Sequence, residues 1–408
     1  MVMPTLFSAL RSTSPLTAWV RRACVLWWAY PLLASGADVY HDQGHEQPLL
    51  HALSDVQAQN LEGALTTVEA LVNKDPAFRL AQLVYADLLL AKAHTAAQLG
   101  AEGGAPHDGI ADLMAEAKAR WQHPRSHDTA PMLPAFLVAL PPDQPTALVV
   151  DASASRLYVF ENQQGTPVLV SDFYVSIGKN GAEKQVEGDK KTPLGVYYVT
   201  EHLAAGTLPP YYGVGAFPLN YPNEWDRHLG KTGSGIWLHG NPLKSYSRPP
   251  QASDGCVTLS NLDFKELQSY IHIGKTPVVI APEVNWVAAE EIHRWRAELN
   301  GQLQKWTQDW ASRDTDRYLA HYAPDFFSPD KDYRQWQDYK RAVNAQKRFI
   351  EVSVDRVGMM LYPEQQTLMQ VEFEQSYRSD QLSSRSSKRQ WWRKERDGQW
   401  RIVYEGPA

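Results

Sequence analysis

Cysteine is almost missing from this chain: 408 residues hold two, Cys24 and Cys256. Cys24 lies in a segment that reads as a removable export signal. The processed protein would then keep one thiol and no intramolecular disulfide, which excludes a disulfide-framed fold. Long apolar runs are missing too. The run Ala23–Ala34 has twelve residues, short of the roughly 20 that a spanning helix needs. Excess positive charge is absent: the formal net charge is -6, and removing the first 37 residues, with three arginines and no acids, leaves about -9. An acidic chain is a poor general binder of polyanions, which argues against nucleic acid as a partner. One Cys and one His without further clustered ligands do not complete a tetrahedral set, so no metal site is expected.

What is present divides into four parts. Residues 1–37 read as a signal peptide: Arg21-Arg22 precede the apolar run, and Ser35-Gly36-Ala37 supply small residues for cleavage. A periplasmic or cell-envelope location follows as an expectation, with an uncleaved inner-membrane anchor as the rival. Residues 38–143 form a helical region. Leu61, Ala64, Leu65, Val68, Leu71 and Val72 recur at helical spacing, Asp75-Pro76 breaks the run, and Leu80, Leu83, Val84 and Leu88 resume it. Such a hairpin does not bury both its faces alone, so it packs on a neighbour or on a second copy; a homodimer through these helices is one expectation. Leu99–Pro106 reads as a linker, Ile110–Trp121 as a short helix, and the proline-rich stretch 131–145 as the end of the region.

From 144 to 284 the period becomes strand-like, with short apolar runs punctuated by Gly and Pro. Leu148–Asp151 and Arg156–Phe160 flank a turn and predict a hairpin, and Pro277–Ala281 closes the domain. The stretch 179–191, rich in Lys and bounded by Gly, reads as a mobile loop. Residues 290–408 read as helices at about 290–312, 314–322 and 333–347, followed by strands at about 349–362, 366–378, 385–395 and 399–405. Helices packed on a later antiparallel sheet make an α+β unit. The fold class is therefore multidomain: helical, then mainly β, then α+β.

The chemistry gathers at His239-Gly240 and Ser253-Asp254-Gly255-Cys256, with sixteen residues between the His and the Cys. A thiol attacks as thiolate, and a neighbouring imidazole can take its proton and hold the charged pair. The Gly240 carbonyl is placed to orient the ring, and the N–H groups of Gly255 and Cys256 to form an oxyanion hole. A lone Cys also serves as a small buried hydrophobe and a lone His as a structural residue; spacing alone leaves those readings open.

Ile236–Pro242 followed by Ser253–Asn261 resembles the YkuD-type L,D-transpeptidases, whose signature is His-Gly, a gap of this size, then Ser/Thr-x-Gly-Cys. Val150-Asp151, Arg156–Phe160, Ser176–Lys179 and Lys191–Gly195 extend the similarity over about 147–282. The layout resembles a three-part subgroup in which a helical region precedes this domain and a SnoaL-like cone, related to nuclear transport factor, follows it. The resemblance implies a cysteine enzyme, without cofactor, acting on peptidoglycan stem peptides at the diaminopimelate–D-alanine bond through a thioester. Cys256 is then the nucleophile and His239 the base. Cross-linking by an L,D-transpeptidase, trimming of tetrapeptide to tripeptide stems by an L,D-carboxypeptidase that acts in cell shape, and a non-catalytic wall-binding scaffold are the outcomes to separate. Asp254 stands where many members carry His or Arg, and Thr258 where many carry Arg. A carboxylate beside the thiol would raise its pKa if it pointed inward, so Asp254 is expected to turn away. Ser253, Asp254, Asn261 and Arg227 are the expected substrate-binding residues, with Arg248, Lys190 and Lys191 as substitute cations. The ligand of the C-terminal domain is not legible.

Overall fold

The computed structural model describes residues 44–96, 110–121, 132–365 and 367–408. The expected signal segment with Cys24, and the expected linker Leu99–Pro106, lie outside the described residues.

The N-terminal region contributes α1 (Glu46–Gln57), α2 (Leu61–Lys74), α3 (Arg79–Ala96) and α4 (Ile110–Trp121). The Asn60 side chain accepts the Gly63 N–H and so satisfies one of the free donors at the start of α2. Leu65, Val68 and Leu71 of α2 pack with Leu49, Phe78, Leu80 and Leu88, and Tyr246 from the central domain inserts into the same cluster.

The proline-rich stretch, expected to close this region, instead folds into two short strands, β1 (Met132–Pro134) and β2 (Leu137–Ala139). Neither pairs locally. β1 lies antiparallel to a strand at 286–288, and β2 joins the edge of the C-terminal sheet. Proline is tolerated at such short edge positions, so its presence does not prevent the pairing.

The central domain runs through β3 (Thr146–Asp151), β4 (Arg156–Gln163), β5 (Thr166–Tyr174), β6 (Ile177–Gly178), β7 (Gly195–Tyr198), β8 (Leu203–Ala204), β9 (Gly215–Pro218), α5 (Glu224–His228), β10 (Trp237–Gly240), β11 (Gln251–Ser253), β12 (Val257–Leu259), α6 (Asn261–Leu267), β13 (Pro277–Ala281) and β14 (Trp286–Ala288). One sheet has the order β5-β4-β3-β13-β7 and another β12-β10-β9-β8. Successive residues of a strand point to opposite faces. In β3, Leu148 and Val150 join Leu238, Val257 and Leu259 in the core between these two sheets. Ala147 and Val149 join the core shared with the C-terminal domain. β13 divides the same way, Val278 and Ile280 against Val279 and Ala281. That double burial explains apolar runs without polar alternation.

The C-terminal α+β unit comprises α7 (Ala289–Ala311), α8 (Thr315–Leu319), β15 (Tyr322–Phe327), α9 (Tyr333–Ala345), β16 (Ile350–Leu361), β17 (Leu368–Ser379), β18 (Ser383–Lys394) and β19 (Trp400–Pro407). Its sheet has the order β15-β19-β18-β17-β16-β2. The contact with the central domain is both apolar and charged. Trp225 of α5 meets Trp391 edge-on at 5.0 Å. Lys231 bridges Asp226 (3.2 Å) and Glu364 (2.7 Å), and Arg389 bridges Glu224 and Glu372.

Candidate active site

β10 and β12 run parallel, with His239 in register with Thr258. Cys256 stands one residue before β12, so the pairing sets His239 on the neighbouring strand, two residues further along than the thiol. His239 is fully buried. Its Nδ1 lies 2.7 Å from the Gly240 carbonyl oxygen. A carbonyl only accepts, so Nδ1 carries the proton and Nε2 keeps its lone pair. Nε2 is buried with no hydrogen-bond partner among the described residues. Burial pushes the imidazole down to about 4, against the pull of the Gly240 carbonyl.

The turn before Cys256 is held from several sides. Gly255 has φ +127°, and a Cβ there would sit 2.9 Å from the Lys191 carbonyl oxygen, so only glycine fits. Thr192 Oγ1 donates to the Gly255 carbonyl at 2.9 Å and accepts the Gly178 N–H. Ser253, fully buried, donates through Oγ to the Cys256 carbonyl (2.6 Å) and accepts the Gly255 N–H (3.1 Å). The Gly255 N–H, expected as an oxyanion donor, is therefore already committed. Of the expected pair of donors, Cys256 alone is left uncommitted. Ser253 is a clamp on the turn rather than a substrate contact.

The half-buried thiol donates to the Gly235 carbonyl at 3.4 Å. Burial pushes it up to about 11; the Trp237 N–H opposes the rise, Asp254 adds to it, and Arg248 and Lys184 oppose it. With the thiol raised and the imidazole lowered, the resting pair is neutral. That differs from the charged thiolate–imidazolium pair that a neighbouring imidazole can hold.

The remaining expected residues separate. Asp254 does turn outward, with its side chain 62 % exposed and paired to Lys179 Nζ at 3.0 Å. Asn261 Oδ1 accepts the Val214 N–H at 3.2 Å and sits against Gly213 and Gly240, where any Cβ would collide with it. It is a packing clip, not an open ligand contact. Arg227 is exposed on α5, and its charge acts on Tyr404 of the C-terminal sheet. The loop 179–191 is not loose. Asp189 accepts from Lys184 Nζ (2.7 Å) and from the N–H groups of Gln185, Val186 and Lys191.

Two aromatics at the site lie outside the sequence motifs. Tyr212 meets the His239 ring edge-on at 4.9 Å and leans on Trp237 at 4.8 Å, and Tyr211 lies 5.8 Å from the same ring. An adjacent Tyr pair after Pro209-Pro210, in a region otherwise short of apolar periodicity, is the signal the sequence offers for them.

Residues 145–280 match the model of the L,D-transpeptidase catalytic domain called YkuD, and residues 298–406 that of the Cds6 C-terminal NTF2-like domain. Bd1075 of Bdellovibrio bacteriovorus, a solved structure, is 30 % identical over 68 % of this chain and 98 % of its own, with a TM-score of 0.61. The chain belongs to the YkuD L,D-transpeptidase family. The helical cell shape determining protein Pgp2 of Campylobacter jejuni shares the fold at 24 % identity, covering 67 % of this chain and 95 % of its own, with a TM-score of 0.57. No curated protein matches the chain. The YkuD domain is of a peptidoglycan-active kind, and the NTF2-like domain is the cone expected from the element order.

Proposed function

We propose that the protein is a cell-envelope L,D-transpeptidase acting on murein stem peptides through a thioester on Cys256. One observation carries this reading: a buried imidazole whose tautomer is fixed by a carbonyl and whose Nε2 has no partner among the described residues, on a strand paired with the one that follows the family-matched thiol. In the first step the sulfur attacks the carbonyl carbon of the diaminopimelate–D-alanine bond while Nε2 takes the thiol proton. The Cys256 N–H meets the developing oxyanion. Collapse breaks the C–N bond, the proton passes from Nε2 to the leaving nitrogen, and D-alanine departs. In the second step an amine of another stem gives a 3→3 cross-link.

Water in place of that amine gives a tripeptide stem, the L,D-carboxypeptidase outcome. The likeness to Bd1075 along most of both chains, and to a protein titled for cell shape, favours this second reading. The two differ in how well the thioester is shielded from water.

Chromatography of purified muropeptides after incubation tests both. Dimers linked 3→3, or tripeptides with free D-alanine, are expected from the wild type, and neither product from Cys256→Ala. Full product formation by Cys256→Ala contradicts the reading.

A further inference from the structure

The family pattern offers a cation next to the nucleophile, and this chain has Asp254 and Thr258 there instead. The structure supplies a cation from another loop. Arg248 stands next to the site through Tyr211, whose ring lies 5.8 Å from that of His239, and its charge acts on both His239 and Cys256. Its Nη1 donates to Tyr211 Oη at 3.2 Å, its Nη2 bonds the Ala252 carbonyl, and the guanidinium lies 5.5 Å from the Tyr211 ring centre. The other cation acting on the thiol, Lys184, is taken up by Asp189 at 2.7 Å. No carboxylate pairs with Arg248 among the described residues.

Its loop is anchored from the N-terminal helices. Tyr246 stacks on His45 (4.5 Å) and meets Phe78 at a tilt (4.4 Å), with 7 % of its surface exposed. Ser247 Oγ donates to Glu116 of α4 at 2.6 Å. Glu116 is itself fixed by Arg120, whose guanidinium covers the Tyr174 ring at 3.9 Å. Tyr174 Oη and Ser176 Oγ then hold the Arg248 carbonyl at 3.0 and 3.1 Å. Backbone immediately before and at Arg248 is thus pinned by two sets of contacts joined through Arg120.

We propose that Arg248 receives a carboxylate of the stem peptide, and that the N-terminal helices position it through Glu116 and Ser247. This rests on the function proposed above. A guanidinium carries five N–H donors, so one held by two bonds still has donors for a carboxylate, and its value depends on how little it must reorganise. The helical region is then part of substrate selection, although it contributes no atom to the reaction. Arg248 is the specificity-determining residue; Glu116 and Ser247 are positioning residues.

The test uses the full-length chain. Binding of a purified tetrapeptide muropeptide to Cys256→Ala is measured by calorimetry, then repeated with Arg248→Ala, Ser247→Ala or Glu116→Gln added. Arg248→Ala is expected to weaken binding roughly ten- to hundredfold, in line with loss of a charged hydrogen-bonded pair. For the same muropeptide with its stem carboxylates amidated, Arg248→Ala is expected to change binding less than about threefold. In the background that keeps Cys256, Ser247→Ala raises KM with kcat nearly kept, whereas Glu116→Gln, which retains an acceptor for Ser247, stays near wild type. Equal losses on both ligands, or unchanged binding in Arg248→Ala, overturn the proposal. Failure of the wild type to release D-alanine overturns the function itself, an outcome independent of Arg248.

Discussion

Two buried polar groupings of this molecule treat their unmet bonding capacity in opposite ways. Where the N-terminal helices meet the YkuD domain, Glu46, Glu116, Arg120 and Arg156 interlock. Arg156 is fully buried and holds both oxygens of Glu46, at 2.5 and 3.1 Å, while Arg120 joins Glu46 (3.3 Å) to Glu116 (3.0 Å). Opposite charges are matched there, and the grouping fixes one element against another. At the active site, by contrast, the His239 Nε2 has no partner. Burying a polar atom unpaired costs stability, and here the unpaired atom is the one the proposed chemistry uses. The first grouping leaves only the Arg156 Nε unmet among otherwise paired charges; the second leaves unmet the basic nitrogen itself.

The sharpest way to break this contrast is to remove one partner of the closed grouping. Arg156→Ala leaves Glu46 buried without its two-pronged donor, and a loss of about 3–5 kcal/mol is expected in urea unfolding. A loss under about 1 kcal/mol would show that the grouping is not what joins helices to domain. Replacing Arg156 by Met and Glu46 by Leu together should recover part of that loss, because Glu46 is then not stranded, while Asp172 and Arg120 each give up one partner.

The open site has its own signature in pH. Burial lowers His239 from 6.5 to about 4. Between those values the unfolded chain binds a proton that the folded chain does not, so the folded state loses stability as pH falls through this window. Its contribution is complete above 6.5 and gone below about 4. A shift of this size corresponds to up to about 3 kcal/mol. His239→Gln, which has no proton to gain, should remove that part of the acid sensitivity. Identical urea midpoint changes for wild type and His239→Gln between about pH 7.5 and about pH 4.5 would contradict a buried neutral ring.

Much of this is legible in the residues themselves. Apolar runs such as Leu148–Val150 and Pro277–Ala281 are strands because both faces are covered, and the hairpin and the late antiparallel strands carry their own periodicity. The spacing of His239 and Cys256 points to one site because a parallel strand pair needs an intervening connection of about that length. What is not legible depends on distant partners. β1 and β2 exist because Val287 and Met359 wait for them. β15, an edge strand containing Pro324, begins inside the span that reads as helix by sequence, because its pairing partner lies at the far end of the chain. The order of the loop 179–191 comes from one side chain, Asp189, reaching several backbone N–H groups. Arg227 and Arg248 are equivalent as letters; only the fold leaves one exposed on α5 and sets the other against Tyr211.

The account turns on a covalent bond between the stem peptide and one sulfur. Intact-mass spectrometry of the full-length protein, quenched in acid within the first turnovers on tetrapeptide muropeptide, measures it directly. The expected result is an added mass equal to the muropeptide less D-alanine, located on the peptide that contains Cys256 and removed by hydroxylamine. Release of D-alanine with no such adduct on Cys256 under any quench time, while Cys256→Ala releases it equally fast, would contradict the account.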